Sequence, residues 1–324
     1  MKIITKPTEY LDLISSYKHS IIDSYGYKKI LNDYYSPEKY LLFHDSSHFI
    51  PMVQKNNTIT FFGGTQHNHY NSFNFNCINF NNIITKLNNM NLNFRLLSMT
   101  TDPYKLLSPQ FKKFDVPLPV TWIYQDIQKY NEQNFLDQFT GKKKWYIKRT
   151  IKNKDNYSFQ QLNFHDFINS FNNLIYSHNQ YFRDRNKISV WEGKENLLLD
   201  ILKYFYINEN LYIGSIKKSK TVAVYILVYN KKEIIYYFGT SLDARDNEVS
   251  KILYLDMLKN AQVIAKKYNI LNFDALPGGF SNKRRFLFSP MPLYGLVNDP
   301  NWVIRQDPEL TLEEYQQLTG RHIS

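Results

Sequence analysis

Three β-prone runs follow one another almost without pause: Leu211–Ile216, Val222–Tyr229 and Glu233–Thr240, parted only by the polar turns Lys217–Lys220 and Asn230–Lys232. A longer segment, Asp246–Lys267, comes next with apolar residues at Ile252, Leu255, Leu258 and Val263, and then one more apolar run, Leu271–Leu276. Short apolar runs bounded by turn residues predict strands, and the striped segment predicts a helix. Upstream, Thr121–Asp126 and Tyr157–Leu162 are strand-like. Gln133–Ile151 predicts a Lys- and Arg-rich helix, 164–178 an amphipathic helix carrying Phe167, Ile168, Phe171, Leu174 and Ile175, and Glu195–Asn208 another. The order β-α-β-α-α-β-β-β-α-β describes an α/β fold, a mixed β-sheet flanked by helices.

The first half repeats this logic on a smaller scale. Residues 7–35 predict one or two helices. Tyr40–Phe43, Phe49–Val53 and Thr58–Phe62, separated by Asp45-Ser46-Ser47 and Lys55-Asn56-Asn57 and ended by Gly63-Gly64, predict a three-strand meander. A helix over 79–90 and a strand at Phe94–Met99 follow. Pro103, Pro109, Pro117 and Pro119 then interrupt regular structure, which places a boundary between domains 1–119 and 120–324. Near the end, Thr311-Leu312-Glu313-Glu314 fits a capping box and Gly320 a helix stop, so the second domain is expected to close with a tail helix.

A chain of 324 residues with 43% hydrophobic content suits two domains with real cores. The single cysteine, Cys77, can make no internal disulfide. The start MKIITKPTEYLDL is too interrupted by charge for a signal peptide, and no run approaches the roughly 20 apolar residues of a spanning helix. A soluble, cytoplasmic protein is the expectation. Lys and Arg number 40 against 29 Asp and Glu, a net charge of +11 that favours anionic partners. Codon drift in an AT-rich genome accounts equally well for a chain this rich in Asn, Lys, Tyr, Ile and Phe.

The chemistry concentrates in 273–286, FDALPGGFSNKRRF. Lys283, following Gly278-Gly279, is expected to swing over the sheet edge and meet charge developing on a tetrahedral oxygen. The bland alternative is a solvated basic turn in which Arg284 and Arg285 keep the edge soluble. Asp274, a carboxylate on an apolar strand, is either a general base or the buried partner of a nearby cation. The start of the long helix, Asp246–Ser250 with Asn247, offers N–H groups to a phosphate, although Asp246 and Glu248 repel one and serve as ordinary helix-start residues. On GKKKWYIKRTIKNK (141–154), Trp145, Lys148 and Arg149 can hold an anionic acceptor or an RNA backbone, or form a solvated face. Tyr176, His178 and Tyr181 are candidates to line the acceptor side of a cleft. His44, His48, His67 and His69 lack the tight spacing or cysteines of a zinc site, so no metal is expected. Gly-x-Ser-x-Gly, Walker and Gly-x-Gly-x-x-Gly motifs are absent, which argues against a serine esterase, an ATPase and a dehydrogenase.

Taken together, the hairpin, the third strand ending Tyr237-Phe238-Gly239-Thr240, the long helix and FDALPGG…NKRRF resemble the GNAT acyltransferase superfamily, and within it the double-domain FemABX-type and CelD-like branch. Phe273-Asp274, Gly279 and Lys283-Arg284-Arg285-Phe286 stand where that branch carries Phe-Asp, Gly and a Tyr/Phe-Lys before a basic-aromatic run. FFGGTQHNHYN resembles its glycine-ended strand before an Asp-Tyr pair, with His69-Tyr70 here. The pyrophosphate loop usual in the superfamily is absent, since 241–251 reads SLDARDNEVSK. The resemblance implies tandem GNAT-like domains, the first degenerate and on the acceptor side with His69, Tyr70 and Asn71. The second would hold the donor through Phe238, Gly239, Thr240, Asn247, Ser250, Lys251 and Arg284. It implies N-acyl transfer from an acyl thioester, acyl-CoA first, to an amine on a sugar, peptide or small metabolite. An aminoacyl-tRNA-dependent transferase is the alternative enzyme, and a non-catalytic binding protein on the same scaffold is the third reading.

Overall fold

A computed structural model of the chain describes residues 2–4, 21, 24–44, 49–63, 79–99, 105–117, 120–242, 247–277, 280–299, 313, 316 and 317. Two compact units emerge, one of residues 1–121 with 290–324 and the other of residues 122–289. The first unit opens with β1 (Lys2–Ile4) and helix α1 (Tyr25–Tyr35). The antiparallel meander β2 (Lys39–His44), β3 (Phe49–Lys55) and β4 (Thr58–Phe61) follows. Helix α2 (Phe80–Asn89) connects β4 to the parallel strand β5 (Asn93–Met99), and β6 (Asp115–Pro117) ends this first pass. Phe80, Ile83, Ile84 and Leu87 recur at helical spacing and pack into a core with Met52, Ile59, Phe61, Phe94 and Leu96. Asn79 caps α2, its side chain accepting the Asn82 N–H at 3.2 Å.

The second unit carries β7 (Thr121–Tyr124), α3 (Glu132–Asp137), α4 (Gly141–Asn153), β8 (Ser158–Gln161), α5 (Phe164–Arg183) and α6 (Glu195–Ile207). It continues with β9 (Leu211–Lys217), β10 (Thr221–Tyr229), β11 (Ile234–Ser241), α7 (Asn247–Tyr268), β12 (Phe273–Asp274), α8 (Phe280–Arg285) and β13 (Ser289–Met291). Its sheet runs β13-β7-β12-β11-β10-β9-β8. The chain then re-enters the first unit as β14 (Tyr294–Val297), inserted between β5 and β6 in the order β1-β2-β3-β4-β5-β14-β6. The division drawn between residues 119 and 120 treats the halves as consecutive, whereas 290–324 fall with the first unit. Pairing with β5 and β6 accounts for that return, and the side chain of Asn298 accepts the Phe94 N–H at 2.5 Å.

Helix α7 covers one face of the second sheet, over β10 and β11, while α5 packs on β11 from the other. Two expected elements differ. The single helix over 133–151 is two, because Gly141, the first residue of α4, takes a left-handed φ of 55°. The strand expected over 271–276 shrinks to Phe273–Asp274, because Leu276 turns into the left-handed region at φ 59°. Most of the tail helix expected from Thr311 lies outside the described residues, as do Gly278 and Gly279.

Candidate active site

β12 runs parallel to β11 and pairs with it at Ile234↔Phe273 and Ile235↔Asp274. Beyond those pairs the strands part. The chain after Asp274 stays with the other neighbour, the Ala275 N–H donating to the Trp122 carbonyl at 2.7 Å, while β11 continues to Ser241. An opening is left between β11 past Ile235 and the segment 275–276.

Asp274 stands at the point of parting. Its Oδ1 accepts the Leu276 N–H at 2.6 Å, and the Leu276 carbonyl accepts from Lys283 Nζ, also at 2.6 Å. A left-handed backbone is costly for a residue as bulky as leucine. Here its N–H and its C=O are each held by a charged or ionisable side chain. Lys283 is 3% exposed and does not reach over the sheet edge, because α8 turns its side chain inward onto Leu276. Burial pushes the Asp274 carboxyl up to about 7, against the Leu276 hydrogen bond and the Lys283 ammonium, which both lower it.

A bulge shapes the other wall. Tyr236 pairs with Leu227 and Phe238 with Ile226, so Tyr237 is an extra residue in β11. The extra residue shifts the alternation of faces, and Tyr236 and Gly239 come to share one face although three positions apart. The Tyr236 hydroxyl leans over Gly239, where a Cβ would stand 2.1 Å from it. On the same face Tyr254 of α7 meets the Tyr236 ring edge-on at 6.0 Å and stacks on Phe286 at 5.0 Å. On the opposite face His178 of α5 lies 4.9 Å from Phe238 and 5.0 Å from Phe182, hydrogen-bonded to the Gly239 backbone. Burial pushes His178 down to about 4, so the imidazole is neutral near pH 7. Burial raises the Tyr254 phenol far above its usual range, and Tyr236 and Tyr181 add to the effect.

Asp274 and Lys283 thus meet at the Leu276 turn, while His178, Phe238 and Gly239 meet further along β11, past its last pair with β12. Thr240, on the same strand, is buried. Arg284 lies over the Trp122 ring at 5.9 Å, and Tyr176 points to solvent at 65% exposure. At the start of α7, Glu248 accepts a hydrogen bond from Asn153 of α4, and Lys251 lies over the Tyr146 ring at 5.9 Å. Trp145, Lys148 and Arg149 are exposed on α4, with Arg149 5.6 Å over the Trp145 ring. His69, Tyr70 and Asn71 lie outside the described residues, as does the side chain of Asn247. Tyr236 and Tyr254 were not singled out by the sequence, in which 26 tyrosines make any one unremarked. Among the described residues, no group of three or more His, Cys, Asp or Glu side chains is placed to hold a metal ion, and no helix is long and apolar enough to cross a membrane.

No family model matches the chain, and no curated protein matches it. Solved structures do. FemX matches with a TM-score of 0.55 at 9% identity, over 92% of this chain and 97% of its own. L-PGS from Bacillus licheniformis matches at 0.52 and 11% identity, over 98% and 97%. A conserved protein of unknown function from Bacteroides thetaiotaomicron VPI-5482 matches at 0.55 and 11%, over 91% and 99%. At such identities the likeness speaks for the architecture: two mixed sheets flanked by helices, the fold that this chain shares with FemX and L-PGS over nearly the whole of each.

Proposed function

We propose that this protein transfers an acyl group from an activated ester to an amine, at the opening between β11 and β12. The observation that carries this reading is Asp274, a carboxyl at the parting of two parallel strands whose proton leaves at about pH 7. A base tuned near the working pH is what deprotonation of an attacking ammonium group requires. Lys283 fixes the turn beside it.

The donor in this reading is an aminoacyl ester carried by RNA. Glu248 occupies the first turn of α7, engaged by Asn153, and its carboxylate opposes a pyrophosphate there. On α4, Lys142 lies 5.9 Å over Tyr146 and Arg149 lies over Trp145, cations interleaved with exposed rings as a nucleic-acid backbone and its bases require. The resemblance to FemABX-type transferases implies the same donor. One observation favours an acyl-CoA donor as the second reading: β11 past Ile235 offers an open edge to an extended amide arm.

The test presents bulk aminoacyl-tRNA and acetyl-CoA separately to the protein with a panel of amines and follows loss of the acyl group. Consumption of aminoacyl-tRNA alone supports the first donor, consumption of acetyl-CoA alone the second, and consumption of neither removes the reading. Lys148→Ala with Arg149→Ala is expected to weaken tRNA binding and to flatten its salt dependence by about 1 to 2 in log–log slope. An unchanged slope would take α4 out of the interface.

A further inference from the structure

The phenols of Tyr236 and Tyr254 have no structural account. The Tyr254 ring packs on Phe286 and Phe288, at 5.0 and 6.3 Å, and a phenylalanine would pack as well. Tyr254 is 6% exposed, and desolvation raises both phenols. Tyr236 is half-buried, and neither hydroxyl oxygen belongs to the sealed polar atoms that lack a partner, so both stay open to solvent or a ligand. Among the described residues, neither of these two has a hydrogen-bond partner. Tyr225, on the same face, shows the ordinary solution: its hydroxyl donates to Asp256 at 2.6 Å and accepts from Asn260 at 2.7 Å.

The place of the two phenols is specific. The bulge at Tyr237 brings the Tyr236 hydroxyl over Gly239, four residues beyond the last β11–β12 pair at Ile235. Phe273 packs on Phe288 at 5.6 Å, on the Tyr254 side, so strand alternation puts Asp274 on the opposite face. Asp274 and the two phenols therefore approach the parted strands from opposite faces.

We propose that the hydroxyls of Tyr236 and Tyr254 donate hydrogen bonds to the oxygen that gains negative charge during transfer, as catalytic residues of this site. The proposal rests on the transferase reading above. The amine nitrogen attacks the ester carbonyl carbon, the C–N bond forms and the π pair moves onto oxygen between the phenols. The proton leaving nitrogen passes to Asp274. When the oxygen pair returns, the bond to the leaving oxygen, or to sulfur in a thioester, breaks, and that atom takes up the proton. Both phenols stay protonated throughout, as groups with raised pKa values should.

Tyr236→Phe, Tyr254→Phe and the double variant test this. Each removes one oxygen that has no partner, so thermal unfolding is expected at the wild-type temperature or above it. The first measurement needs no natural substrate: binding of 4-nitrophenolate, a stable oxyanion, read from displacement of its visible absorption band at alkaline pH. Wild type is expected to bind it, each single variant at least roughly tenfold more weakly, and the double variant not measurably. No binding by wild type, or equal binding by the double variant, overturns the proposal. The second follows turnover of whichever of aminoacyl-tRNA or acetyl-CoA wild type consumes, where each Phe is expected to lower kcat by ~10²–10³ with KM held. Turnover retained by both Phe variants but lost in Asp274→Asn rejects the phenols and keeps the transferase. Phenolate binding without any transfer by wild type rejects the transferase and keeps the phenols as an oxyanion site.

Discussion

Asp274→Asn is expected to lower kcat by roughly 10²–10⁴ and, separately, to abolish a pH dependence of folding stability. The carboxamide oxygen can still accept the Leu276 N–H, so the left-handed turn survives the change. What disappears is the titration. The folded carboxyl stands near 7 against an ordinary 3.8 because burial disfavours its charged form. Between those values the folded chain keeps a proton that the unfolded chain has released, so stability falls as pH rises, by about 1.4 kcal/mol per pH unit. Above about 7 both states have released it and the profile levels off. Asp256, also raised by burial, contributes the same sign in both proteins, so the difference between the two profiles isolates Asp274. Urea unfolding across this window should show the variant overtaking wild type as pH rises. Parallel profiles would show that Asp274 is not protonated in the fold, and undiminished turnover would remove it as the base.

Gly214→Ala is expected to lower stability by about 3 kcal/mol. Gly214 pairs with Tyr225 across β9 and β10, and the Tyr225 ring lies over it. A Cβ there would stand 2.1 Å from Cζ, 2.4 Å from Cε1 and 2.5 Å from the hydroxyl. The ring has nowhere to go: Tyr225 is fully buried and tied to Asp256 and Asn260 on α7. Either the strands separate or the buried hydrogen bonds to α7 break. In a Tyr225→Leu background the same glycine change should cost less than about 1 kcal/mol, because the obstruction is gone. An equal cost in both backgrounds would show that the strain arises elsewhere.

Gly214, Tyr225 and Gly239 form one row across β9, β10 and β11, each glycine lying under a tyrosine side chain. The glycine of Tyr237-Phe238-Gly239-Thr240 stands out in the sequence as a candidate, and the structure supplies a reason for its lack of a side chain: it leaves room for the Tyr236 hydroxyl. Asp274 and Lys283 stand out as candidates for a different reason. A carboxylate inside an apolar strand, and a lysine after a Gly-Gly turn, are anomalies against their own neighbours, and anomalies of that kind are local. Their relation was not legible. That one takes the N–H of Leu276 and the other its carbonyl depends on a backbone turn cutting short the strand expected over 271–276.

The amino-acid sequence by itself determined the succession β9-β10-β11-α7, whose limits lie within a residue or two of those expected, and the basic, aromatic face of α4. Hydrophobic period and turn residues are properties of a few adjacent positions, so short stretches carry them. Only the tertiary structure decided which strands part, which tyrosines face the opening, and that residues 290–324 return to the first unit. Those outcomes depend on pairings between distant residues, such as Phe94 with Asn298, and on one bulged residue, Tyr237, that reverses the facing of the positions after it. A period-two pattern with one extra residue looks the same on either side of the shift until the partner strand supplies the register.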